Sequence, residues 1–98
     1  MPMTLVVTRD VADRYRGFLA SIMPEVAQGV YVSPELSAGV RDRIIAVLSE
    51  WWLSQPGGSI ICIWKDRGSV GGLAIRTFGL PSRRLADLDG ALVLMRNL

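Results

Sequence analysis

The sequence predicts an α+β domain in which a split β-α-β sheet is covered on one face by two helices. Three observations predict it. Short β-branched runs alternate with two stretches of helical periodicity. Gly or Pro punctuates most changes of pattern. The chain has 98 residues, the size of one domain, which buries only about two thirds of its extended surface.

Thr4-Leu5-Val6-Val7-Thr8 reads as the first strand. Asp10 is placed to cap the helix that follows, with Asp13 near its positive end. Val11, Tyr15, Phe18, Leu19 and Ile22 recur at helical spacing, and Pro24 stops this helix near Met23. Gly29-Val30-Tyr31-Val32-Ser33 is the second strand, closed by Pro34. Ser37 caps a second helix that carries Val40, Ile44, Val47, Leu48 and Trp51 on one face and runs to about Ser54. Gln55-Pro56-Gly57-Gly58 turns the chain into a third strand, Ser59 to Trp64. Lys65-Asp66-Arg67-Gly68 is a hairpin loop. Val70 to Phe78 is the fourth strand, with Gly71 and Gly72 marking a bulge or a close approach. Asp87-Leu88-Asp89-Gly90 reads as a turn with Leu88 buried. Ala91 to Met95 is a fifth strand, surplus to a four-stranded sheet and available to pair with a partner subunit or another protein. One domain, 1–98, is therefore expected, with 79–98 as a docking segment.

Composition narrows the function classes. The charge is +2, from 11 basic and 9 acidic residues, so a nucleic-acid surface has to come from local clustering. All the basic residues except Lys65 are arginines, which suit bidentate phosphate contacts. There is no histidine, so serine or cysteine nucleophile chemistry lacks its usual base, and Lys65 sits in an exposed loop. Cys62 is alone, which excludes a disulfide framework and a cysteine zinc site. Gly68-Ser69-Val70-Gly71-Gly72 lacks the Lys-Ser or Lys-Thr pair of a phosphate loop. No run reaches transmembrane length and no charged leader precedes a long apolar stretch, so a cytoplasmic protein without a membrane partner is expected. Half of the residues are apolar, Trp51, Trp52 and Trp64 among them. These read as core or interface rather than a nucleobase platform. So large an apolar share exceeds one small core and points to a homodimer.

The binding signal is stronger than the catalytic one. Arg14 and Arg16 lie in the first turns of the first helix and diverge by about 200° there. Arg41 and Arg43 begin the second helix, where the dipole disfavours them. Arg83 and Arg84 follow a Gly-Leu-Pro turn. Such contacts position a duplex without reading its sequence. The one weak catalytic candidate is Asp10, just past the first strand, as a ligand for the Mg²⁺ that phosphodiester hydrolysis at neutral pH requires. Asp13 reads as a first-turn helix acid.

Leu5-Val6-Val7-Thr8, Arg14-Tyr15-Arg16-Gly17, Glu25 to Val32, Thr77 to Arg84 and Asp87-Leu88-Asp89-Gly90 together resemble the small protein of the CRISPR spacer-acquisition complex. This is the second numbered CRISPR-associated family, in its type I-E form, and the resemblance covers nearly the whole chain. It implies a ferredoxin-like βαββαβ sandwich with an additional C-terminal strand, in a homodimer that bridges integrase subunits of the first numbered family and holds double-stranded DNA. By that resemblance Arg14, Arg16, Arg41, Arg83 and Arg84 grip the duplex backbone. Leu88, Ala91, Leu92, Val93, Leu94 and Met95 dock the integrase subunit. Two basic positions of the family read Ala27 and Gly39 here, which implies fewer direct contacts. Other branches of the family are metal-dependent endonucleases with an acid at the end of the first strand. In the I-E form that position is usually glutamate; here it is Arg9, with Asp10 beside it. The expected function is a non-catalytic DNA-binding scaffold that requires no cofactor. The alternatives are a Mg²⁺-dependent homodimeric endonuclease of RNA or DNA and a ferredoxin-like regulatory dimer that binds a small ligand.

Overall fold

The computed structural model describes residues 3–80 and 83–96, with side chains described for 3–80 and 86–95. The chain runs β1 (Thr4–Arg9), α1 (Asp13–Ala20), β2 (Glu25–Ala27), β3 (Val30–Ser33), α2 (Ala38–Ser54), β4 (Ser59–Lys65), β5 (Leu73–Phe78), β6 (Arg83–Leu88) and β7 (Ala91–Arg96). Five strands form one antiparallel sheet in the order β2-β3-β1-β4-β5. The first six elements are the βαββαβ ferredoxin-like arrangement, with β1 between β3 and β4. Beyond it the chain adds β5 on the β4 edge and a separate β6-β7 hairpin.

The period of two along each strand divides the sheet into two faces. Val6, Tyr31, Ile60, Cys62 and Phe78 point to one face and form the core with Tyr15 and Leu19 of α1 and Ile44 and Leu48 of α2. Each large apolar side chain buried this way contributes about 1.5–3 kcal/mol. On the opposite face Leu5 lies in register between Val32 and Ile63, and Ile63 lies beside Ile75. Val7 lies likewise between Val30 and Ile61. All of these are only half-buried.

The helices follow their sequence signals. Ser37 caps α2, its hydroxyl oxygen accepting from Val40 N at 3.2 Å. Gly58 (φ +75°) ends the connection to β4 with no room for a Cβ, which would collide with the Arg9 and Asp10 carbonyl oxygens. The sequence readings need five corrections. Asp10 does not cap α1: Ala12 is the N-cap with no side-chain bond, and Asp10 adopts a left-handed φ of 57°. The helix ends at Ala20, and Ile22 is exposed. Val70–Gly72 is a 3₁₀ turn, with Gly71 and Gly72 at positive φ, so the strand begins at Leu73. Glu25–Ala27 is an additional edge strand; its residues are all exposed and so carry no apolar alternation. Arg83–Leu88 is a strand that takes in Asp87 and Leu88 of the expected turn. It pairs with β7, and Leu88 is 54% exposed rather than buried.

Candidate nucleic-acid interface

The junction of β1 and α1 carries three arginines, Arg9, Arg14 and Arg16. The last residues of β1 are fixed by the β2-β3 turn: Thr8 N and Oγ1 donate to the Gly29 carbonyl at 2.7 and 3.2 Å. Gly29 N donates in turn to Glu25 Oε2 at 2.9 Å. A Cβ on Gly29 (φ +77°) would lie 2.7 Å from the Thr8 carbonyl oxygen, so only glycine fits this approach. The result is an open pocket of about 450 Å³ lined by Thr8, Arg9, Asp10, Val11, Arg16, Gln28 and Gly29. Arg16, which lines the pocket, and Glu25 lie beside the buried Tyr31 hydroxyl. Burial above all raises the Tyr31 pKa.

Arg14 leaves the helix on another side, as its spacing from Arg16 requires. Its guanidinium carbon lies 3.9 Å from the centre of the Trp51 ring on α2. Trp51 is held edge-on by Phe18 at 5.1 Å and Tyr15 at 5.8 Å. Tyr15 is anchored by donating its hydroxyl to the Gln55 carbonyl at 2.8 Å. Arg41 stands apart, at the start of α2 and roughly 15 Å along its axis from Trp51 at 1.5 Å per residue. It lies 4.8 Å from the Trp64 ring centre and donates from Nε and Nη2 to Asp42 at 3.2 and 3.0 Å.

Arg83 and Arg84 open β6, and their side chains lie outside the described part of the structure. The register sets Arg83 opposite Arg96, which brings a third arginine to the open end of the hairpin. Sequence spacing of more than a dozen residues hid that pairing. Arg9 is the other residue whose place the sequence did not reveal. It shares a pocket with Arg16 because the chain reverses between β1 and α1. The docking candidates Leu88, Leu92 and Leu94 are each 54% exposed, Met95 is 37% exposed, Ala91 is exposed and Val93 is half-buried.

Among the described residues Asp10 is the only carboxylate that lines the pocket, and two guanidinium groups line it too. Mg²⁺ needs several oxygen ligands and is disfavoured beside positive charge. Among the described residues no group of three His, Cys, Asp or Glu side chains is placed to hold a metal ion. The donor set of the pocket does not fit this ion, whereas two arginines, an amide and a threonine suit an anionic group.

No helix is long and apolar enough to cross a membrane among the described residues. A family model described as "CRISPR-associated protein (Cas_Cas2CT1978)" matches residues 3–93. That span takes in the whole five-stranded sheet, both helices, β6 and half of β7. With the ferredoxin-like order of strands and most of its length matched, the chain belongs to this Cas2-like family of CRISPR-associated proteins.

Proposed function

We propose that this protein is a non-catalytic scaffold that holds double-stranded DNA in the spacer-acquisition complex of a type I-E system. In this reading it works as a homodimer and bridges integrase subunits. The observation that carries the reading is electrostatic. Among the described residues the one ion pair is Arg41–Asp42 at 3.0 Å. Arg9, Arg14 and Arg16, around the β1-α1 junction, have no acidic partner within salt-bridge distance among those residues. Guanidinium groups not engaged in ion pairs are suited to duplex phosphates, which they contact whatever the base sequence. The family match supports the adaptation role, and the exposed apolar side chains of the β6-β7 hairpin support docking of the integrase subunit there.

The test is a salt titration of duplex binding. Each phosphate that is neutralised adds about 0.9 to the slope of log affinity against log salt. Replacing Arg14 and Arg16 together by alanine is expected to weaken binding for every duplex sequence. The slope should flatten by about 0.9 for each phosphate that these residues neutralise. An unchanged affinity and slope would remove both residues from the interface and overturn the reading.

A further inference from the structure

We propose that Trp51 is a positioning residue for duplex binding: its indole face holds the Arg14 guanidinium so that the N–H edge is presented to phosphate. This rests on the scaffold reading of the same surface. The indole reaches Arg14 from a different element, since Arg14 is on α1 and Trp51 is in the last turns of α2. At 3.9 Å from the ring centre the guanidinium is in stacking range, well inside the roughly 6 Å limit of a cation-π contact.

The geometry separates the two surfaces of the guanidinium. Its five N–H donors lie in its plane, at the edge, so a face laid on an indole leaves them free. Arg14 is exposed, and nothing acidic pairs with it among the described residues. An unstacked arginine samples many rotamers and loses that freedom when it meets a phosphate. A stacked one has given up part of it beforehand. The indole itself is fixed, braced by Phe18 and Tyr15. Arg41 offers a contrast within the same chain: Trp64 carries it too, but Asp42 takes up part of its donor edge. Trp51 therefore acts through Arg14 and makes no contact of its own with the duplex.

A double-mutant cycle with a short DNA duplex at fixed salt tests this. Arg14→Ala is expected to weaken binding. Trp51→Leu is expected to weaken it about two- to fivefold when Arg14 is present, with the salt slope kept because the charge is kept. In the Arg14→Ala background Trp51→Leu should have no further effect. Equal weakening in both backgrounds, or none when Arg14 is present, overturns the positioning role. If Arg14→Ala itself leaves binding unchanged, the scaffold reading fails at this residue and the positioning role fails with it. That outcome is distinct from a failure of Trp51 alone. Trp51 also packs against the core, so Trp51→Phe runs the same cycle with an aromatic ring retained. Phe offers a weaker cationic face than Trp, so the expected effect is smaller but confined to the Arg14 background.

Discussion

Cys62 is 1% exposed and stands in register between Val6 and Arg76. Burial raises its thiol from 9.0 to about 12, with the Arg76 charge pulling the other way. The raised value means that above pH 9 the unfolded chain releases a proton that the folded chain keeps. Stability is therefore complete below about pH 9 and falls as the pH rises toward 12. Tyr15 and Tyr31, raised from 10.0 mainly by burial, add to the fall from about pH 10 upward. Urea unfolding is expected to be flat between about pH 7 and 8.5 and to weaken above that, and Cys62→Ala should remove the earliest part of the decline. A thiol reagent that labels the native protein rapidly at pH 8 would contradict the burial. The sequence revealed this residue because a lone cysteine in an apolar run is governed by packing. Asp10 was misread because its role turns on a positive φ of 57°, a property of the chain path rather than of residue spacing.

Helix α2 was legible from a Ser cap, a helical stripe and a Pro-Gly-Gly exit, all local signals, although Val40 of that stripe is 45% exposed. Ser37→Ala removes the bond to Val40 N and is expected to cost about 1 kcal/mol in a urea titration. Strand β6 was not legible, because Arg83-Arg84-Leu85-Ala86-Asp87-Leu88 has charge at three of six positions and low strand propensity. Its pairing with β7 supplies the order instead. The two arginine-tryptophan stacks were equally hidden, since each joins separate elements. Their difference leads to a prediction. Asp42 engages two donors of Arg41, so Asp42→Ala frees that edge and removes a negative charge. Duplex affinity should rise, and its salt slope should steepen by up to about 0.9 for each phosphate that the freed Arg41 neutralises. A fall in affinity would show that Asp42 orients Arg41 rather than competing for it.

At the scale of the whole molecule, both helices bury one face of the sheet and leave the other with an apolar band: Val32, Leu5, Ile63 and Ile75 in one row, and Val30, Val7 and Ile61 in the next. A sheet with two apolar faces needs a layer on each. The apolar excess in the composition is thus distributed: part fills the core and part lies on this half-buried face. A second copy is the occupant we propose, because the face is continuous across four strands and carries no charged side chain among these positions. The exposed Leu92 and Leu94 share one face of the β6-β7 hairpin, a different surface, which we assign to the integrase subunit. Two lysine substitutions separate these assignments. Ile63→Lys places a charge in the middle of the band and is expected to give a monomer in sedimentation, with a urea midpoint that no longer depends on protein concentration. Leu94→Lys is expected to keep the dimer and to abolish co-purification with the integrase subunit. If Leu94→Lys yields the monomer and Ile63→Lys does not, the hairpin is the self-association surface, and the apolar face of the sheet is covered by another partner.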